Sequence, residues 1–431
     1  MTILATSRGP FQLRWEHEWP VAPLALPDRD AIPEPRALKR VPAVALLLDR
    51  ARAVRPDFAL TAENAATIAA ICARLDGLPL ALELAAAQLR ALPPDALLAR
   101  LTSGETLAVL ADGPRDLPAR QRSLREALAW SERLLTPSEA AIFGRLAVFA
   151  GGFTLAAARA VCGEGAAARA PGGADPLAAD LAALVKAGLV GAEQGAEAEP
   201  RYRLLETIRE YARERLAAGG EAGAIGPRPA AHFLALAEGA DLAGPEQATW
   251  LDRLEREAGN LRAALAWACE REPTIAGRLA YALIDFWVRR GRIAEGCHWL
   301  DLTLAGTGPE PTMLRAGLLC GASWLADLRG DLPRARALGE ETLAISRALG
   351  EPVALIEALT NLGLRYFLER RFPEARAVLD EARRRADECG ETPRVARVLV
   401  ALGSVAWYED DVAGAAAHWA AALRLGRAGG D

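Results

Sequence analysis

Side chains that could carry out chemistry are sparse in this chain of 431 residues. Lys39 and Lys186 are the only lysines, and neither lies in the Gly-Lys-Ser/Thr sequence with which a P-loop holds nucleotide phosphates. The histidines are far apart in sequence and show no metal-binding spacing, and no serine lies in Gly-x-Ser-x-Gly. We therefore expect a protein that is not an enzyme and that has no metal site and no cofactor in isolation.

The composition is that of a folded protein. Hydrophobic residues make up 52% of the chain, charged residues 25%, and the formal net charge is −5. These values exclude a wholly disordered chain and an overall basic field that would attract nucleic acid or anionic lipid. The six cysteines form no C-x-x-C pair, the first residues do not resemble a signal peptide, and the apolar runs are too short to span a bilayer. We expect reduced cysteines and a cytoplasmic protein without a membrane partner.

Hydrophobic periodicity predicts a mostly α-helical fold. A short strand is predicted over residues 2–7 and a second extended piece over 19–24, and the first strand looks like the cut edge of a sheet whose other strands lie outside the chain. A helical module at 26–112 and a winged helix at 113–225 should follow. The predicted helices are 43–54, 62–75, 78–89, 119–135, 137–147, 155–162, 177–187 and 206–218, with a hairpin that pairs Leu189-Val190 with 202–204.

The winged helix raises the question of DNA binding. Its helix 177–187 would be the one to read DNA, but this helix carries Asp180 and, as its one cation, Lys186. Such a helix is a poor match to the phosphate backbone. We therefore expect a structural or protein-contact role, with direct DNA binding unlikely and any DNA-binding helix-turn-helix beyond this chain.

From residue 311 the sequence repeats with a period of 40 residues. Positions in register are Leu319/Leu359/Leu399, Leu332/Phe372/Val412, Ala335/Ala375/Ala415, Ala337/Ala377/Ala417 and Gly350/Gly390/Gly430. Each unit should be a helical hairpin in which the alanines allow the helices to approach closely and the glycine ends the second helix. The result is an α-solenoid at 311–431, preceded by a helical linker and divergent first repeats at 226–310.

Stacked hairpins form a concave groove suited to peptides or partner helices. The first helix of each hairpin, here called the A helix, should line it, and the second, the B helix, should lie outside. We predict Arg365, Tyr366 and Arg397 as partner-binding residues on this face, and Ala375 as a packing residue. Trp324, Phe367 and Trp407 should pack in the core, and the run 383–385 should be a solvated helix face.

Four motifs in a fixed order carry a resemblance to a known family. They are 4–8 (Leu-Ala-Thr-Ser-Arg), 77–81 (Gly-Leu-Pro-Leu-Ala), 149–153 (Phe-Ala-Gly-Gly-Phe) and 202–212 (Tyr-Arg-Leu-Leu-Glu-Thr-Ile-Arg-Glu-Tyr-Ala), with tetratricopeptide-like repeats after them. This succession resembles the STAND (NB-ARC-like) signalling ATPases, in particular bacterial LuxR-like transcriptional regulators with tetratricopeptide repeats. The resemblance implies that residues 1–25 are the C-terminal remnant of a nucleotide-binding domain and that 26–112 are its helical (ARC-like) module.

The same resemblance assigns two residues to nucleotide binding. It implies that Arg8 senses the terminal phosphate and that Pro79 packs near adenine. Where such proteins carry the histidine of a Met-His-Asp motif, this sequence has Leu205, which cannot donate a hydrogen bond to a phosphate. Because the P-loop half is absent from the sequence, ATP or ADP is expected only if a separate chain supplies that half.

Three functions fit these observations. The first is a non-catalytic regulatory protein, or part of a STAND-type transcriptional regulator, that binds a protein partner or inducer through its repeats. The second is an ATPase switch completed in trans by a separate P-loop chain. The third is a DNA-binding regulator whose DNA-binding domain lies outside this chain. The sequence leaves the oligomeric state open.

Overall fold

A computed structural model describes residues 4–5, 13–17, 19, 21–28, 34–111, 122–163, 175–193 and 199–429. The chain divides into two compact units, residues 1–229 and 230–431. In the described ranges, none of the helices combines the length and the apolar character that crossing a bilayer requires.

The first unit begins with a helical module. Its helices are α1 (Pro35–Leu38), α2 (Pro42–Val54), α3 (Ala65–Arg74), α4 (Pro79–Gln88), α5 (Pro94–Thr102) and α6 (Thr106–Val109). Helices α2 and α4 pack against each other, and so do α3 and α5. Before α1, residues 21–28 run as a segment without strand pairing, and Leu24 donates its amide to the carbonyl of Gly77 at 3.0 Å.

The winged helix follows in the same unit. Its elements are α7 (Leu124–Glu132), α8 (Pro137–Leu146), β1 (Phe153–Thr154), α9 (Leu155–Cys162), α10 (Pro176–Lys186), β2 (Gly191–Glu193), β3 (Arg201–Arg203), α11 (Glu206–Ala218) and α12 (Ala222–Ile225). Thr136 and Glu139 form a complete capping box at the start of α8. The three strands form one antiparallel sheet in the order β1-β3-β2.

The strands differ from the sequence expectation at two places. The wing hairpin is present, but β2 begins at Gly191, two residues after the predicted start, and Leu189 and Val190 are buried before it. Strand β1 was not predicted, because it consists of only two residues, both paired with β3. The predicted strand 2–7 lies mostly outside the described residues, and the described Leu4 and Ala5 are not in a strand.

The second unit is helical wherever the structure describes regular secondary structure. Its helices are α13 (Pro227–Glu238), which begins in the first unit, α14 (Gln247–Arg256), α15 (Ala258–Arg271), α16 (Pro273–Ala282), α17 (Ile284–Arg289), α18 (Ile293–Gly306), α19 (Met313–Leu328), α20 (Leu332–Leu349), α21 (Pro352–Leu368), α22 (Phe372–Glu388), α23 (Thr392–Tyr408) and α24 (Val412–Gly429). The pairs α19/α20, α21/α22 and α23/α24 are the three helical hairpins that the 40-residue period predicts.

In the second and third hairpins a glycine of one helix accepts a large residue from the facing helix. A Cβ at Gly363 would lie 2.5 Å from Leu379, and one at Gly403 would lie 2.4 Å from the Trp419 indole nitrogen. Gly350 follows α20 directly and Gly390 lies two residues after α22. They adopt left-handed φ values of 70° and 71°, as predicted. The repeat therefore conserves the hairpin shape while each hairpin fills its interior differently.

The repeated alanines divide into two classes. Ala335, Ala375 and Ala415 are buried between their helices, as predicted. Ala337, Ala377 and Ala417 are exposed, so the expectation that both sets allow close helix approach is wrong for the second set. Two residues further along a helix is a rotation of about 200°, which places the second alanine on the opposite face.

We expect Ala375→Leu to lower the free energy of unfolding by about 1–3 kcal/mol because the added carbons overpack a closed contact. Ala375 is fully buried in a cluster with Leu359, Leu379 and Leu402. Ala377→Leu, on the exposed face of the same helix, is the matched control and should change stability by less than about 0.5 kcal/mol. Denaturant unfolding measures both, and equal losses would contradict this assignment of the core.

Candidate functional site

A tight turn at Asp76 and Gly77 organises the first unit. Helix α3 ends at Arg74, and both turn residues then adopt positive φ values, 54° for Asp76 and 65° for Gly77. A Cβ at Gly77 would lie 2.2 Å from the carbonyl oxygen of Leu24. Gly77 is therefore required both by its backbone conformation and by the close approach of the preceding segment.

The turn directs the Asp76 carboxylate at the first turn of α11. Its Oδ2 accepts the backbone amide of Thr207 at 3.4 Å. The residue before α11, Leu205, provides no side-chain cap, so a residue of the helical module supplies the acceptor and the negative charge that a helix N-terminus favours. Burial raises the pKa of Asp76 to about 6, although the amides of Thr207 and Glu206 oppose this shift.

An ion-pair network lies next to this contact. Arg74 donates through Nη1 to Glu206 at 2.6 Å and through Nε to the carbonyl of Leu101 at 2.9 Å. Arg209 also pairs with Glu206, at 2.9 Å from its Nε. Burial raises the pKa of Glu206, but the two arginines outweigh it and hold the pKa below its usual value. Glu206 is thus ionised and joins α3 to α11.

Further along α11, polar contacts continue the connection to its neighbours. Glu210 is buried and accepts the backbone amide of Leu107 at 3.1 Å. Glu132 of α7 accepts from Tyr211 at 2.5 Å and from Arg215 at 2.7 Å. The motif 202–212 therefore joins the winged helix to the helical module through its charged side chains.

A cleft of about 630 Å³ opens beside these contacts. Residues of two sequence motifs line it, together with Asp76, which precedes a third motif. They are Asp76 before Gly77, the residues 150–152 of the Phe-Ala-Gly-Gly-Phe motif, and Arg203, Leu204 and Glu206. The structure thus brings together two motifs that are far apart in sequence and the residue that precedes a third. The roles of Arg74 and Asp76 were not predicted, and their signal is the pair of charges that precedes the predicted Gly-Leu-Pro corner.

The structure describes one of the two predicted nucleotide-binding residues. Pro79 is exposed in the first turn of α4 and does not line the cleft. Arg8 lies outside the described residues. Both assignments stay predictions.

The winged helix offers few groups to a phosphate backbone within its described residues. In α10, Asp180 accepts from Ser138 at 2.9 Å, and Lys186 is exposed at the end of the helix. In the wing, Arg201 donates to the carbonyl of Gly152 at 2.9 Å, and Arg203 pairs with Glu193 at 3.0 Å. The wing arginines are thus engaged within the unit.

A groove of about 770 Å³ crosses the A helices of the second unit. Many of the lining residues are spaced by one repeat and form three rows across the groove. Each row takes one residue from α16 or α17, one from α19 and one from α21, and one row continues to α23. The rows are Arg278/Gly317/Glu357/Arg397, Ala282/Gly321/Asn361 and Asp285/Trp324/Leu364. Asn361 joins three hairpins, because its amide nitrogen donates to Cys320 Sγ at 3.1 Å and its oxygen accepts from Arg397 at 2.7 Å.

The groove contains two of the three predicted partner-binding residues. Arg365 and Arg397 line it, whereas Tyr366 does not and its hydroxyl bonds to Glu340 on α20 at 3.2 Å. Trp324 also lines the groove and is 37% exposed, so the prediction that it is a core residue is wrong. Trp407 is 51% exposed, which also contradicts core packing, while Phe367 packs against Phe372 and Tyr408.

Arg365 lines the groove but is largely buried. Its side chain is 11% exposed and pairs with Asp327, which is 9% exposed. Burial raises the pKa of Asp327, and Arg365 opposes that shift. The signal was present in the repeat, since the equivalent positions Leu325 and Val405 are buried apolar residues.

Comparison with known proteins identifies one domain and several relatives. Residues 135–217 match the family of winged helix-turn-helix domains, so the chain contains such a domain. Over 375 residues the chain is 37% identical to a protein of Mycobacterium tuberculosis named as an HTH-type transcriptional regulator, a match that covers 84% of this chain and 40% of the relative. It is also 40% identical over 233 residues to an uncharacterized M. tuberculosis protein, covering 54% of each. The chain therefore spans less than half of the regulator that it matches.

Two solved structures share low similarity with the chain. BtubC from P. vanneervenii matches 49% of this chain and 90% of its own length, with 18% identity and a TM-score of 0.40. The STAND protein with a tetratricopeptide repeat sensor from Pyrococcus horikoshii matches 81% of this chain and 53% of its own length, with 15% identity and a TM-score of 0.36.

The raised pKa of Asp76 predicts a pH dependence of stability. Between about pH 4 and pH 6 the folded state keeps a proton on Asp76 that the unfolded state has lost, so this group lowers the free energy of unfolding as pH rises. In Asp76→Asn this contribution is absent, and the stability of the variant relative to wild type should rise through that window by at most about 3 kcal/mol. Denaturant unfolding at pH 4.5 and 7 measures it.

The control for this experiment is Asp57→Asn, which removes an exposed carboxylate from the same module. It should follow the wild-type pH profile. If Asp76→Asn does so as well, Asp76 does not hold the proton.

We expect Arg365→Ala to lower the free energy of unfolding by about 3 kcal/mol, because the carboxylate of Asp327 would stay buried without its cation. Arg397→Ala, which removes an exposed arginine from the same groove, should change stability by less than about 0.5 kcal/mol. The double variant Arg365→Met with Asp327→Leu should recover most of the loss. Thermal melts compare them, and a wild-type Tm for Arg365→Ala would refute the buried pair.

Proposed function

We propose that this chain is the regulatory part of a transcriptional regulator of the STAND type and that its helical repeats bind a protein partner. The observation that carries the proposal is the groove of the second unit, whose three rows present charged, small and apolar residues from consecutive A helices. Concave faces of this kind bind extended or helical segments. The similarity to an HTH-type regulator over 84% of the chain supports a role in transcription.

In this proposal the first unit transmits the partner-bound or partner-free state of the repeats. Asp76, Arg74 and Glu206 join the helical module to the winged helix through contacts that involve both modules. Because the wing arginines and Asp180 are bound within the unit, we assign the winged helix to protein contacts. The chain performs no catalysis of its own in this proposal, since neither lysine lies in a P-loop sequence.

Transcript profiling in the native host tests the function. Strains that carry wild type, a deletion of the gene, Ala354→Trp or Ala377→Trp are compared by RNA sequencing. Ala354 lines the groove, so a tryptophan there should fill it, whereas Ala377 is exposed on the outer α22. We expect Ala354→Trp to reproduce the transcript changes of the deletion and Ala377→Trp to match wild type.

Each outcome decides one part of the proposal. A deletion that changes no transcript would overturn the regulatory role. A groove-filled variant that matches wild type would overturn the groove as the input site. Thermal melts of the two purified variants show that both fold.

A further inference from the structure

The charged residues of the groove are not equivalent. Arg278 binds Glu238 through two nitrogens at 2.8 and 2.7 Å, and Glu357 binds Arg394 at 3.1 Å. Arg365 is neutralised by Asp327. These charges are satisfied by the protein itself and offer little net attraction to a ligand.

Two groove residues remain without a counter-ion. Arg397 is exposed and bonds to the neutral amide of Asn361, and Asp285 is exposed with no hydrogen-bond or ion-pair partner among the described residues. They lie on different helices of the groove, Asp285 on α17 and Arg397 on α23, with α19 and α21 between them. Between them, in the row of Asp285, lie the apolar side chains of Trp324 and Leu364.

The register of the repeats gives the separation of these charges. The order α17, α19, α21 and α23 places Asp285 and Arg397 three helix spacings apart, and packed helices are spaced by roughly 10 Å, so the charges are on the order of 30 Å apart. A small molecule cannot contact both. A helical segment would need about 20 residues to span that distance, at 1.5 Å per residue. An extended chain is thinner and spans the distance with about nine residues.

We propose that the groove binds an extended peptide segment of about nine residues with a carboxylate side chain at one end, a large apolar side chain in the middle and a basic side chain at the other end. The carboxylate pairs with Arg397, the apolar side chain lies on Trp324 and Leu364, and the basic group pairs with Asp285. Complementary charges at both ends fix the position and the direction of the peptide. This inference rests on the proposed function in taking the groove as the partner site.

Selection from a random nonapeptide display library on the full chain tests the proposal. Wild type should enrich peptides with the acidic, apolar and basic order. Arg397→Glu should exchange the acidic preference for a basic one, and Asp285→Lys should exchange the basic preference for an acidic one. Arg384→Glu, an exposed charge on the outer α22, is the control and should keep the wild-type order.

Binding of one selected peptide, measured by fluorescence polarisation, adds a rescue. Arg397→Glu should weaken it at least about tenfold. The double variant Arg397→Glu with Asp285→Lys should bind the same peptide with its two end charges exchanged to within about threefold of the wild-type affinity. Because both residues are exposed, these variants should keep the wild-type Tm.

No enrichment, or an order that does not follow the exchanged charges, would overturn the peptide chemistry. That result is distinct from a failure of the regulatory function, which the gene deletion reports independently. The selected charge order could follow the charge-exchange variants while the gene deletion leaves transcripts unchanged. That result would support this peptide site and refute the role in transcription.

Discussion

The first turn of a helix carries backbone amides that need acceptors, and in α11 a residue more than a hundred positions earlier supplies one. Asp76 can reach the Thr207 amide because two consecutive residues adopt positive φ, and Gly77 tolerates the Leu24 carbonyl because it has no side chain. The contact places α3 against α11, where Arg74 and Glu206 then pair. The cleft lies beside this contact and is lined by residues of both modules.

The second unit depends on a different constraint. The two helices of each of its three hairpins must pack closely against each other. Ala335, Ala375 and Ala415 keep the helices close in every copy. Elsewhere the copies solve the packing problem separately, with Leu379 against Gly363 and Trp419 against Gly403. The inner face is therefore free to vary from one hairpin to the next without changing the backbone, which is how one groove combines charged, small and aromatic residues.

Sequence reasoning predicts well those features whose cause is local. The capping box at Thr136 and Glu139 and the glycine at 350 fix helix ends through residues within one turn, and both were visible in the sequence. Features that depend on distant partners were missed. Strand β1 exists only because Arg201 and Tyr202 pair with it, and Asp76 has its role only because α11 begins beside it.

The burial of Arg365 has a different origin. Amino-acid type alone indicates exposure for an arginine, but the buried residues at the equivalent positions of the neighbouring hairpins outweigh that tendency, and Asp327 provides the partner. The register also has an evolutionary meaning. Since the rows follow the 40-residue period from one hairpin to the next, duplication of a 40-residue segment of the gene would lengthen the groove by roughly 10 Å, or about three residues of an extended chain. The length of peptide that such an array binds can increase only in these steps. Point mutations change which side chains the groove prefers, whereas duplication changes how many residues of the peptide it contacts.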